Sequence, residues 1–244
     1  MAKRIVFALA LLLAAGDTAF GQGLGWTEGR VFLGANSGTQ LGAARAETQA
    51  LSFDLYGEPA KVTVTRSVKS GILFDGTAGG RVLGNLGVAG TLFMRSAPGD
   101  GVAAATVPHP LFFDQARAVD AGLNKMTHTE LWSAVQAAYL LRIDDRIDVM
   151  FLAGPTVVSV KHDAITAASV AEGSSNPAVT VTVTEQSKMV WGYMLGADVR
   201  YMVTKNIGLG AFARYAGATA NMNPALSLKL GGLQVGGGIR VQLK

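Results

Sequence analysis

From Ser187 to Val203 the chain alternates without a break: Ser187, Met189, Trp191, Tyr193, Leu195, Ala197, Val199, Tyr201 and Val203 hold one phase, with Lys188, Gly192, Gly196, Asp198 and Arg200 between them. A period of two over seventeen residues is a single extended strand with one apolar and one polar face. Strands in soluble domains average about five or six residues, so a strand of this length has the reach to cross a membrane. Thr204-Lys205-Asn206 then turns the chain into Ile207, Leu209, Ala211, Ala213 and Tyr215, with Gly208, Gly210, Phe212 and Arg214 opposite, a hairpin of two long antiparallel strands.

The same grammar runs upstream. Leu131, Val135, Ala137, Tyr139, Leu141 and Ile143 alternate with Glu130, Gln136 and Arg142, and Asp144-Asp145-Arg146 turns into Ile147, Val149 and Phe151. Leu86, Val88, Leu92 and Met94 form another strand, and Val62, Val64, Val68, Ile72 and Phe74 one more. In the last segment the apolar phase changes from Leu226, Leu228 and Leu230 to Leu233, Val235 and Ile239 at Gly231-Gly232, which predicts a β-bulge; Pro155, with the apolar phase moving to Val158 and Val160, predicts a second.

Connections at Asp75–Gly80, Asp144–Arg146 and Thr204–Asn206 read as short, and those at Ala97–Met126, His162–Glu185 and Ala218–Asn223 as long. Short and long connections alternate in outer-membrane barrels, the short ones facing the periplasm. Seven strands count back to Val62, and an even total requires one more from Arg30 to Tyr56, broken near Ala43 to Ala46 and followed by Gly57-Glu58-Pro59 as an outer turn. The predicted fold is all-β, an eight-stranded antiparallel transmembrane β-barrel.

The first residues and the composition agree with export. Lys3 and Arg4 precede an unbroken apolar run from Ile5 to Ala15, and Ala19-Phe20-Gly21 offers small residues where a signal peptidase cuts. A run of eleven residues is too short for a helical anchor, which needs about 20. The expectation is a cleaved signal peptide over 1–21 and a single barrel domain over 22–244. The chain is 49% hydrophobic, with 31 glycines and no cysteine, which suits a Gly-rich β protein without disulfides and excludes thiolate metal sites and cysteine nucleophiles. Without 1–21, nineteen basic side chains face sixteen acidic ones, an excess too mild to imply nucleic acid.

The polar face of these strands carries glycine, alanine and scattered ions, which fit inside a narrow barrel, while Tyr139, Trp191, Tyr193, Tyr201 and Tyr215 lie on the apolar face, where lipid headgroups would meet them. Leu83-Gly84-Asn85-Leu86-Gly87-Val88, Thr204-Lys205-Asn206-Ile207-Gly208-Leu209-Gly210 and Gly231-Gly232-Leu233-Gln234-Val235-Gly236-Gly237-Gly238 resemble the bacterial outer-membrane β-barrel family of the OmpA and OmpW type. The chain departs from that family in ending Gln242-Leu243-Lys244 rather than on an aromatic residue. The resemblance implies residence in the cell outer membrane, contact with outer-membrane lipid and lipopolysaccharide, insertion by the outer-membrane assembly machinery, and a monomer. Its motifs are structural and imply no catalysis.

Glu130, Arg142, Lys188, Asp198, Arg200, Arg214, Lys229 and Arg240 form the expected lumen network. It reads as a plug of ion pairs, in preference to a gated ion path, because an eight-stranded lumen is filled by side chains. Pro108-His109-Pro110-Leu111-Phe112-Phe113 is an apolar cluster inside a long loop. It is either an interaction site or a segment folded back onto the barrel mouth, the second being favoured. His109, His128 and His162 are scattered in sequence and give no expectation of a metal or cofactor, and no nucleophile elbow accompanies them. The functional expectation is a non-enzymatic outer-membrane protein with a structural or surface-interaction role, the alternative being a narrow passive channel for ions or small hydrophobic solutes.

Overall fold

The computed structural model describes residues 31–41, 45–68, 70–123, 126–172, 177–223 and 226–243. The expected signal peptide and its cleavage site lie outside the described residues. Among the described residues there are eleven strands: β1 (Val31–Leu41), β2 (Arg45–Leu55), β3 (Glu58–Val68), β4 (Ile72–Leu83), β5 (Leu86–Pro108), β6 (Ala116–Gly122), β7 (Met126–Arg142), β8 (Ile147–Ala171), β9 (Ala178–Met202), β10 (Ile207–Asn223) and β11 (Leu226–Leu243). Eight of them close a ring in the order β1-β4-β5-β7-β8-β9-β10-β11, every neighbour antiparallel. Within the ring no strand is left with an open edge at the level of the belt, which is the condition for crossing lipid with strands.

The outer wall is apolar over a defined height. On β7 the outward residues Leu131, Val135, Tyr139 and Leu141 are exposed, and Thr127 and Thr129 continue the same face above them. At roughly 3.3 Å per residue and a tilt of about 40°, the stretch from Leu131 to Leu141 rises about 25 Å, the height of the apolar band of such barrels. Trp191, Tyr193, Tyr201 and Tyr215 are exposed on the same wall.

The remaining three strands build a second structure above this belt. β2 and β3 form a hairpin through Tyr56-Gly57, both with positive φ (56° and 80°), and β3 pairs with the upper part of β5 from Lys61↔Thr106 to Val68↔Gly99. On its other edge, upper β5 pairs with β6, which touches upper β9 through Ala121↔Val179 and Gly122↔Thr180. β8 and β9 stay paired to Ala171↔Ala178. The gap between β8 and β2 is bridged by side chains: Gln49 Nε2 donates to the Ile165 carbonyl and Gln49 Oε1 accepts from the Ile165 N–H, both at 3.0 Å, and Glu47 Oε2 lies 3.7 Å from His162 Nε2. The result is a closed turret with its own apolar core of Val62, Val64, Val107, Ile165, Val179 and Val181. From Ser159 to Ala171 β8 climbs roughly 30 Å above the belt at the same rise and tilt.

Several expectations are corrected by this turret. The segment from Arg30 to Tyr56 is two strands, of which β1 joins the ring and β2 leaves it; Val62 to Phe74 likewise divides between β3 and β4. Asp75 to Gly80 is not a turn. It lies within β4, paired to β1 and β5, and the turn comes at Gly84-Asn85, with Gly84 at φ 54°. Gly79 there serves packing, since a methyl on it would stand 2.4 Å from the Phe32 ring.

Neither predicted bulge is found. The β10–β11 register passes through Gly217↔Gly231 and Ala216↔Gly232 unbroken, and β8 pairs with β9 through Pro155↔Tyr193 without a shift. The break in β8 comes at Ile165/Ala167, beside the Gln49 bridge. The apolar phase changes on both strands because the interior itself changes character: Val158, Val160, Leu228 and Leu230 point inward into an apolar layer with Phe93 and Trp132. The wide connections from Ala97 to Met126 and from His162 to Glu185 are largely strand, forming the turret wall.

Candidate functional site

The interior is stacked in polar layers and apolar clusters, one of which, Phe32, Ala89, Ala138, Leu140 and Met150, lies near the short turns, and five of the eight residues expected in the lumen lie there. Near the short-turn end Arg200 pairs with Asp148. Arg240 forms a two-pronged contact with Asp198, Nε to Oδ2 and Nη2 to Oδ1 at 2.8 Å each, and its Nη1 donates to Asn36 Oδ1. Arg214 meets Asp75 at 3.0 Å and donates from Nε to Gln234 at 2.7 Å, its guanidinium lying 4.3 Å above the Phe93 ring. Thr91, hydrogen-bonded to Gln136, completes this layer. The cavity left among these side chains is about 20 Å³, room for one water.

Above it lies the apolar layer of Trp132, Phe93, Val158, Val160, Leu228 and Leu230, with Trp132 and Phe93 stacked at 5.2 Å. A second polar layer follows at the base of the turret. Glu130 accepts from Trp132 Nε1 (2.7 Å) and Arg95 Nη1 (3.0 Å) and contacts His128 Nε2 at 2.7 Å. His128 Nδ1 lies 3.2 Å from His162 Nδ1, which Arg66 Nη1 approaches at 3.3 Å. Burial, and then the Arg66 charge, push the His162 imidazole down to about 3, so it is neutral at ordinary pH. The apolar turret core closes the stack.

The three other charges of the expected network lie elsewhere. Arg142 is at the lower rim, bonded to the Asp144 carbonyl and to Asp145 in the turn. Lys229 is exposed on the outward phase of β11, and Lys188 is exposed above the belt, reaching the Asn221 carbonyl. Asp75, Arg95, Asp148 and Arg66 take the interior places that the alternation had left unassigned. Among the described residues no group of three or more His, Asp or Glu side chains is arranged to hold a metal ion.

The exposed chemistry is concentrated at the distal tip. The 108–113 segment does not fold back onto the barrel mouth. It forms the turn between β5 and β6 at the far end of the turret, with Pro108 buried and Leu111, Phe112 and Phe113 exposed to 80%, 56% and 75%. The turn is built rather than loose. His109 N–H donates to the Gln115 carbonyl (2.9 Å), Leu111 N–H to His109 Nδ1 (3.1 Å), and the His109 and Phe112 rings meet at 4.8 Å. Asp114 takes positive φ (57°), a conformation that aspartate tolerates, and its N–H donates to Glu58 at the β2–β3 tip (3.0 Å).

Arg117 ties the neighbouring tips together. It donates from Nη1 and Nη2 to the two Glu172 oxygens (3.0 and 2.7 Å) and from Nη2 to the Pro108 carbonyl (2.9 Å), while Tyr56 OH donates to Glu172 Oε1 (3.0 Å). The Arg117 hydrogen bond holds the Glu172 carboxyl below its usual range, and the same carboxylate raises the Tyr56 phenol. The local sequence carried the apolar run; the anchors on β3, on β6 and just beyond β8 come from three separate segments and share no motif.

No family model and no curated protein matches the chain. Its fold is similar to solved barrels at low identity: outer membrane protein OprG from Pseudomonas aeruginosa (10% identity over 90% of this chain and 98% of that one, TM-score 0.47), Neisserial surface protein A (14%, 87% and 97%, 0.42) and Ail of Yersinia pestis in complex with the heparin analogue sucrose octasulfate (12%, 86% and 99%, 0.39). The chain's own surface makes the membrane assignment, since an outward apolar belt on a closed, even-stranded barrel with short turns at one end is the construction of an outer-membrane protein.

Proposed function

We propose that this chain is a non-enzymatic outer-membrane protein whose sealed barrel holds an extracellular turret in place, and that the turret tip is a surface for interaction. The observation that carries the reading is the filling of the interior: two polar layers and three apolar clusters occupy it from the short turns to the turret core, and the cavity within the lower polar layer is about 20 Å³. A path for ions needs connected water, and a path for apolar solutes needs a connected apolar void. Neither fits through the stacked Trp132 and Phe93. Isolated pairs such as Arg240–Asp198 act as interior packing, because each charge has its partner within hydrogen-bond distance.

The imidazoles of His128 and His162 are walled in and engaged with Glu130 and Arg66, so they offer a substrate no proton acceptor. The belt contacts lipid, its upper rim meets lipopolysaccharide, and the outer-membrane assembly machinery inserts the barrel as a monomer. The chain has no cysteine, so single cysteines report topology cleanly. Whole cells producing Leu111→Cys are expected to react with a membrane-impermeant maleimide, and Asp145→Cys cells to react after permeabilisation. Labelling in the opposite sense refutes the orientation and, with it, the surface role.

A further inference from the structure

The tip displays charge as well as apolar area, and the combination narrows the partner. Leu111, Phe112 and Phe113 project from a turn whose immediate neighbours are acidic: Asp114 within it, Glu58 bonded to its backbone, Asp54 across the β2–β3 hairpin from Pro59, and Glu172 behind Arg117. Arg117 is engaged by Glu172 in a two-pronged pair, and among the described residues Asp54, Glu58 and Asp114 form no salt bridge within the tip.

We infer that this apolar finger in an acidic collar docks a protein partner presenting an apolar cleft bordered by lysine or arginine. The inference rests on the surface-interaction reading above and adds the partner's chemistry. A cationic rim meets the collar with complementary potential, while the desolvated rings supply the anchor. An anionic lipid surface is disfavoured by the same collar, since inserting Phe112 and Phe113 would bring Asp54, Glu58 and Asp114 against phosphate groups. The finger is also pre-ordered by its hydrogen bonds to Glu58 and Gln115, so binding costs little in loop entropy.

The test uses the full chain in phosphatidylcholine nanodiscs and a fluorescein-labelled peptide of alternating leucine and lysine, read by anisotropy, with a leucine–glutamate peptide as counterpart. The lysine peptide is expected to bind and the glutamate peptide not to. Affinity should fall about tenfold in Phe112→Ser/Phe113→Ser, and about fivefold, with a shallower salt dependence, in Asp54→Asn/Asp114→Asn. All of these side chains are exposed, and heat-modifiable gel migration checks that each variant is folded. Equal binding by Asp54→Asn/Asp114→Asn refutes the cationic partner while leaving the surface-interaction reading intact. Absence of lysine-peptide binding, or equal binding by Phe112→Ser/Phe113→Ser, refutes the docking finger. Phe112- and Phe113-dependent flotation with vesicles of equal parts phosphatidylglycerol and phosphatidylcholine would show a membrane-inserting finger instead.

Discussion

Replacing Arg240 by methionine tests whether the interior charges are structural. Asp198 receives two charge-assisted hydrogen bonds of 2.8 Å from Arg240, and both side chains are buried. Arg200, the neighbouring cation, is committed to Asp148. Removing Arg240 therefore leaves a carboxylate in a low-dielectric interior without its main partner, a change that costs about 3 to 5 kcal/mol. Removing both charges by Asp198→Leu/Arg240→Met replaces the pair with apolar volume, and that double variant should lie within about 1.5 kcal/mol of the parent. Methionine has room, since Arg240 occupies space that Gly34 and Gly210 leave open; a methyl on Gly210 would lie 2.6 Å from Arg240 Nε. Urea unfolding in detergent micelles, followed by tryptophan fluorescence and by loss of the heat-modifiable band, gives both free energies. A single variant within about 1 kcal/mol of the parent, or a double variant as unstable as the sum of the singles, refutes the reasoning.

Gly231→Ala should destabilise the barrel by about 2 kcal/mol or more, because the residue holds φ 77° and a methyl would stand 2.2 Å from the Ala216 carbonyl and 3.0 Å from the Trp132 ring; an unchanged urea midpoint would contradict this. His162 is neutral in the folded chain down to about pH 3 but takes up a proton near pH 6.5 when unfolded, so its contribution is complete above pH 6.5 and is lost as pH falls, by about 1.4 kcal/mol at pH 5.5. Arg66, His128, Glu47 and Asp163 surround it, and comparing parent with His162→Gln by urea midpoint at pH 7.5 and 5.5 isolates its share; equal slopes would refute the assignment. Arg117→Met should release Glu172 and the Pro108 carbonyl together and speed proteolysis between Pro108 and Gln115, with the heat-modifiable barrel unaffected; unchanged cleavage would show that the tip is held by other contacts.

The lower barrel was legible because its outward phase meets lipid. The turns at Asp144–Arg146 and Thr204–Asn206, and the strands around them, follow from alternation and turn chemistry alone. The turret was not, since Val62, Val64, Val179 and Val181 alternate in the same way while facing an extracellular core. Periodicity reports that a face is buried and leaves open what buries it. The same ambiguity misplaced Lys229: with Leu228 and Leu230 taken as lipid-facing, its neighbour had to point inward, whereas the apolar layer around Trp132 reverses that phase. Asp75 was hidden for a related reason, because Gly76, Gly79 and Gly80 imitate a turn although they lie within β4, where Gly79 packs against the Phe32 ring. The anchors of the distal tip, Glu58, Arg117 and Glu172, converge from three segments that only the folded turret brings together.

The central claim is that the barrel is sealed. Its most direct test is single-channel recording of the purified, refolded chain in planar lipid bilayers. A filled interior predicts a silent membrane at protein levels where insertion is verified by flotation, both for the parent and for a variant lacking the Leu111-Phe112-Phe113 finger. Reproducible unitary conductance steps from the parent chain would contradict the account and turn the interior charges into the lining of a pore.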